Sequence, residues 1–207
     1  MAKGKITIGI LILSLLFLQG CATLSELART LTSLKNLQFR LQGIGDFSLA
    51  GIRINQKSQL KDFSIADGIQ LLAAFSGKRL PARFLLNVEA RNPNDGSNGT
   101  TRTLSTLTRF DWRLLIDDQP TISGGIDRAL EIPGSGQSTI IPLRLELDLL
   151  EFFGNHGYED LLNLALALGG KNGDISRVAL DAQPSVSTPL GDITYPEHIT
   201  IISKEFR

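Results

Sequence analysis

The sequence predicts a mainly β chain, an antiparallel β-sandwich with two short helical insertions. Three observations predict it. Apolar and polar residues alternate with period two in several separate stretches, which marks strands with one buried and one wetted face. Loops rich in Gly, Asn, Asp and Pro separate those stretches. Within that series only two segments carry helical spacing, so helices interrupt the strands rather than alternate with them.

The chain opens with Lys3 and Lys5 and then runs largely apolar from Ile6 to Leu18. Thirteen such residues fit a secretory signal, because a spanning helix needs about 20. The run ends Leu18-Gln19-Gly20-Cys21. This is similar to the bacterial lipobox: an aliphatic residue at −3, a small residue at −1, then the cysteine whose sulfur takes a diacylglycerol by thioether. Gln19 departs from the small residue usual at −2. The expected organisation is a signal peptide over 1–20, a lipidated tether with a short helix over 21–35, and one β-domain over 36–207. One acyl chain binds a bilayer only marginally, whereas the two or three on a lipidated Cys21 anchor stably. By resemblance to Gram-negative lipoproteins, Ala22 is no inner-membrane retention signal, so the expected location is the outer membrane facing the periplasm.

In the tether, Leu24, Leu27, Leu31 and Leu34 share a helical stripe, with Glu26, Arg29 and Lys35 off it. Such a stripe lies on the bilayer surface or packs on the domain's own core. The strands follow. Phe39 and Leu41 alternate with polar neighbours, as do Phe84, Leu86, Val88 and Ala90. Phe110, Trp112, Leu114 and Ile116 form a third inward set, and Leu143, Leu145, Leu147 and Leu149 a fourth. Later strands are expected over Ile175–Ala182, Ile193–Tyr195 and Ile199–Ser203. The first helix begins at Ser64, whose spacing to Asp67 is that of a capping box. Ile65, Ile69, Leu72 and Phe75 then share a face, and Gly77 is placed as C-cap. The second helix runs from Tyr158 to Leu168, striped by Leu161, Leu164 and Leu168, with Gly169-Gly170 as its stop.

Composition narrows the chemistry. The chain has 207 residues, 21 Lys+Arg against 21 Asp+Glu, two His, one Cys and one Trp. Without residues 1–20 it keeps 187 residues, with 19 positive charges against 21 negative, because Lys3 and Lys5 leave with the signal. That balance carries no basic footprint for nucleic acid. A lone cysteine makes no intrachain disulfide and no four-ligand zinc site. No hydrolase elbow, P-loop or dinucleotide fingerprint is present. His156 sits in a loop at a helix start, where Glu159 and Asp160 suit the dipole better than a metal. His198 has no catalytic spacing to any partner. Asn92, Asn94, Asp95 and Asn98 make an oxygen-rich loop, but the EF-hand glutamate is missing, so a solvated turn is preferred over calcium. Trp112 reads as core. No catalytic residue, metal or cofactor is assigned, and the chain is expected to be no enzyme.

The segment Phe84-Leu85-Leu86-Asn87-Val88-Glu89-Ala90-Arg91-Asn92-Pro93-Asn94 is the most distinctive. An alternating strand ending in Asn-Pro-Asn resembles the signature of the type-2 late embryogenesis abundant (LEA) proteins, desiccation-related proteins carrying the WHy domain. The pieces that follow in that family correspond to Phe110–Asp117, Gln119–Gly124, the Ile-Pro-Gly loop Glu131–Gly136 and the strand Ser138–Asp148. The likeness covers roughly Leu80 to Leu149, and Asp95–Ser105 is a longer loop than the family usually has. Pro93 lacks an N–H and biases Asn92 toward extended backbone, so the strand must stop there. Asn92 and Asn94 are expected to bond local backbone and turn the chain. The resemblance implies an immunoglobulin- or fibronectin-III-like sandwich with a stress-protective or envelope-associated role, exercised by contact with proteins or membranes. The alternative is an envelope module that binds lipid or docks a partner, between the sheets or on the Ile65–Phe75 helix.

Overall fold

The computed structural model describes residues 37–97, 102–188 and 191–207. Among them the order is β1 (Gln38–Leu49), β2 (Ile52–Arg53), α1 (Ile65–Ser76), β3 (Pro81–Arg91), β4 (Ser105–Ile116), β5 (Gln119–Gly124), β6 (Leu130–Ile132) and β7 (Ser138–Asp148). Then come α2 (Leu149–Phe153), α3 (Tyr158–Gly169), β8 (Val178–Thr188), β9 (Gly191–Thr194) and β10 (Ile199–Ile201). The signal, Cys21 and the Leu24–Leu34 stripe lie outside the described residues.

All pairings are antiparallel. One sheet runs β2-β1-β3-β7 and the other β10-β8-β4-β5, with β6 added to β4 and β9 to β8. Period-two alternation puts Ala82, Phe84, Leu86, Val88 and Ala90 of β3 beside Ile141, Leu143, Leu145 and Leu147 of β7, all buried. β1 is less regular, with register shifts after Leu41 and after Gly45. Each adds one residue, so the two together restore parity and return Phe47 and Leu49 to the face that holds Phe39 and Leu41. From the second sheet, Phe110, Trp112, Leu114 and Ile116 enter the same core with Val178, Leu180 and Ala182. The sheets meet directly where the Phe39 and Phe110 rings lie 5.5 Å apart.

Two further features close the core. Helix α3 buries Leu161, Leu162, Leu164, Ala165, Leu166 and Leu168, and its last glycine abuts Phe47: a Cβ on Gly169 would stand 2.1 Å from that ring. Beyond β10 the C-terminal tail pairs with the opening of β1, through Leu41 N–H to Ile202 O at 3.0 Å and a reciprocal pair between Phe39 and Arg207 at 2.8 and 2.9 Å. The tail thus ties the second sheet to the edge of the first.

The long strands and both expected helices lie where the sequence places them. Of the short elements, β9 and β10 overlap the expected Ile193–Tyr195 and Ile199–Ser203, and the others differ. Gln119–Gly124, for which no strand was expected, is strand β5, and Leu130–Ile132 is β6 where a loop was expected. β2 and α2 were not anticipated either. Ile175–Arg177 is a 3-10 turn, and the strand expected from Ile175 starts at Val178 and runs on to Thr188. It continues through Pro184, beside the irregularity at Leu107/Arg109 in β4, where the chain tolerates a residue without an N–H.

Candidate functional site

The Asn-Pro-Asn motif follows directly on β3, which ends at Arg91. Asn92 and Asn94 are fully buried. The Asn92 Oδ1 accepts from Asn94 N–H at 3.1 Å and from Asn94 Nδ2 at 2.8 Å, the expected local turn. Its Nδ2 does more than turn the chain. Two amide hydrogens are shared among Thr103 O at 2.8 Å, Ser105 Oγ at 3.1 Å and Ile132 O at 3.2 Å. One side chain therefore holds the end of β3, the lead-in of β4 and the end of β6. Thr103 N–H returns a bond to Asn94 O at 3.2 Å.

The Ile-Pro-Gly loop closes on the same point. A Cβ on Gly134 would lie 2.4 Å from Thr103 O and 2.5 Å from Asn94 O, so only glycine fits between those carbonyls. Arg102 Nε donates to Gly134 O at 3.2 Å. The oxygen-rich loop considered for calcium is thus largely committed: Asn92 and Asn94 are spent inside the protein, and Asp95 Oδ1 accepts from Ser97 N–H at 2.9 Å. Asn98 lies outside the described residues.

Beside the motif, on the outer face of the first sheet, Glu89 of β3 bridges two strands. It accepts from Ser138 Oγ of β7 and from Arg40 Nε and Nη2 of β1, the last at 2.5 Å. The Ser138 hydroxyl and then the Arg40 guanidinium hold its carboxyl below the usual glutamate range. A carboxylate so stabilised is a poor base toward a serine hydroxyl, and the arrangement is a clamp across three strands. Arg40 also stacks over Phe206 at 4.6 Å, which fastens the C-terminal tail.

The remaining predicted residues are scattered. His156 is exposed in the turn between α2 and α3, its ring 6.4 Å from that of Phe153. His198 is exposed, with Nδ1 3.1 Å from Asp181 Oδ1. Among the described residues no three His, Cys, Asp or Glu side chains gather as a metal ligand set. Trp112 is buried as expected, but its Nε1–H has no partner.

The surface that sequence reasoning undervalued is α1. Its capping box forms, with Ser64 Oγ accepting from Asp67 N–H and Asp67 Oδ2 accepting from Ser64 N–H. The residues that share a face do not share the core. Leu71 alone is fully buried, and Phe75 packs edge-on against Tyr158 at 5.3 Å. Ile65, Ile69 and Leu72 are 86%, 66% and 53% exposed. The signal was present: apolar residues at 65, 66, 69 and 71 to 75 exceed one stripe, so one set had to face outward. Next to α1, Ser58, Leu60 and Lys61 line an open cleft of about 490 Å³ with Asn163, Leu166 and Asn172. Among the described residues no helix is long and apolar enough to cross a membrane.

No protein-family model matches the chain, and no curated protein matches it. Among solved structures the chain is similar to the solution structure of a candidate late embryogenesis abundant (LEA) protein, at 13% identity and a TM-score of 0.36, over 96% of this chain and 88% of that one. It is also similar to the crystal structure of a protein from Archaeoglobus fulgidus, at 8% identity and a TM-score of 0.32, over 80% of this chain and 98% of that one.

Proposed function

We propose that this chain is a lipid-anchored envelope protein whose β-domain, an immunoglobulin- or fibronectin-III-like sandwich of the LEA type-2/WHy kind, works without catalysis. Its role is stress-protective or envelope-associated, exercised by contact with proteins or membranes. One observation carries the reading: the Asn-Pro-Asn turn and the Ile-Pro-Gly loop, the two pieces on which the resemblance rests, interlock through Asn92 and Gly134. A motif whose side chains are consumed in holding strands together makes the fold, and the work is left to the surface.

Two experiments test it. Metabolic labelling with a radioactive fatty acid should mark the wild-type protein and not Cys21→Ser; an unlabelled wild type removes the anchor. Cells lacking the gene should survive drying or osmotic shock less well than the parent. Equal survival in both would count against the protective role.

A second reading, docking of a lipid surface or a partner on the Ile65–Phe75 helix, is favoured by the outward set Ile65, Ile69 and Leu72.

A further inference from the structure

We infer that the outward face of α1 lies on the lipid bilayer, as a second membrane contact beside the anchor. The inference rests on the anchored reading of Cys21, and it assigns the docking helix one occupant. Ile65, Ile69 and Leu72 stand at i, i+4 and i+7, which makes one continuous apolar strip along the helix. Exposures of 86%, 66% and 53% leave that strip in water. Within the domain, α1 is held by Leu71, by Phe75 against Tyr158, and by Gln70 Nε2 donating to Ala50 O at 2.8 Å. All three contacts lie off the strip.

Charge selects the occupant. Residues 57–79 carry Lys57, Lys61, Lys78 and Arg79 against Asp62 and Asp67, a surplus of two positive charges. The chain from Cys21 onward has 19 positive and 21 negative charges, so everything outside this segment sums to four negative. Lys57 is engaged with Asp67 at 3.0 Å, whereas Lys61, Lys78 and Arg79 are exposed beside the two ends of the helix. An apolar strip flanked by the local excess of basic residues suits the interface of an anionic bilayer. A symmetric dimer through this face would set the same basic residues of two copies against each other, like charge beside like.

The described chain begins at Leu37, where Gln38 pairs with Arg91, and α1 follows the opposite end of β1, where Leu49 pairs with Ala82. The stretch of β3 from Arg91 to Ala82 that separates those ends spans about 30 Å at the usual rise. The 16 residues from Cys21 to Leu37, taken as extended chain, reach about 53–58 Å. That is enough for an anchored domain to lie on its side and bring α1 to the surface. Three apolar side chains and three exposed basic residues together give α1 affinity for an anionic surface even without the anchor.

The test uses the chain from residue 21 onward carrying Cys21→Ser, with the Leu24–Leu34 stripe retained. It is sedimented with vesicles of phosphatidylethanolamine and phosphatidylglycerol, and separately with phosphatidylcholine vesicles. Binding to the anionic vesicles should weaken on the order of tenfold or more in Ile65→Ser/Ile69→Ser/Leu72→Ser. The thermal midpoint should fall by no more than a few degrees, because Ile65 and Ile69 are mostly in water and Leu72 is only half covered. Ile65→Ser alone should show a smaller loss in the same direction, which guards against a misfolded triple variant. Lys61→Gln/Lys78→Gln should weaken anionic binding by about fivefold per charge and leave phosphatidylcholine unaffected. Cys21→Ser protein with the native α1 that ignores the vesicles, or a triple variant that binds as that protein does, overturns the inference. So does a dimer abolished by the triple variant, which would give the face to a second copy. Because Cys21→Ser removes lipidation, these results are independent of the fatty-acid labelling: a labelled Cys21 with an inert α1 sinks only this inference, and an unlabelled Cys21 sinks the anchor.

Discussion

Asn92 shows how much one side chain can carry. Buried amide groups must be paired, and each left unpaired costs about 1–3 kcal/mol. Replacing Asn92 by alanine leaves Thr103 O, Ile132 O and Asn94 N–H without that partner. Asn92→Ala should therefore lower unfolding stability by about 3 kcal/mol or more, read from urea denaturation. Asn92→Asp should also destabilise, since a carboxylate has no hydrogen to give the two carbonyls. An asparagine that merely turned the chain would tolerate aspartate, so near-native stability of that variant refutes the junction. Glu89 makes the complementary case. Its carboxyl is held below the ordinary value of 4.5 by Ser138 and Arg40. A folded-state value lowered in this way stabilises the protein above pH 4.5 and loses that contribution as the pH falls from there through the folded value. Glu89→Gln should cost about 1–2 kcal/mol at neutral pH, and the gap to wild type should shrink on acidification. A gap independent of pH would mean the carboxylate is not what holds the clamp. The turn was legible in the sequence. Its distant partners were not, because Thr103 and Ile132 lie 11 and 40 residues away and nothing local marks their carbonyls.

At the scale of elements, long alternating strands and capped helices are written in local sequence, and of the short strands only β9 and β10 are. β3 and β7 bury every second residue, a pattern few other conformations satisfy. β5 does not alternate, and β6 has only three residues in which to show a period. They are strands because the two ends of one side of β4 offer them backbone partners. The hairpin from β4 to β5 turns on Asp117 and Asp118, with φ of 49° and 62°. Two positive values in a two-residue loop are those of a type I′ turn, which favours glycine at its second position. Asp118→Gly should raise stability by about 0.5–1 kcal/mol in thermal denaturation, while Asp117 must stay to hold Arg177. A destabilised variant would show that Asp118 makes an interaction worth more than its strain. Gly169 works the other way. It was expected only as a helix stop, but it also gives α3 its approach to Phe47. Gly169→Ala should cost about 2–3 kcal/mol by overpacking, and an unchanged midpoint would mean α3 shifts without penalty.

For the whole molecule, the two sheets and α3 share one core, and the C-terminal tail stitches the second sheet to the opening of β1. Such a chain should unfold in one step. Urea curves followed by the fluorescence of Trp112, the sole tryptophan, and by far-ultraviolet circular dichroism should therefore coincide. Separated midpoints would mean that the sheets are independent units. Local sequence determined the strand faces, the capped helices and the turn after β3, because alternation, caps and a missing proline N–H act within a few residues. It also carries the lipobox-like Leu18–Cys21 run, whose reading stands on sequence alone. Only the tertiary structure decided which apolar residues of α1 are covered, and that a turn, a loop and two strands meet at Asn92. Those outcomes depend on what lies opposite a side chain once the sheets have packed, and hydrophobic burial has no direction until a partner surface is in place.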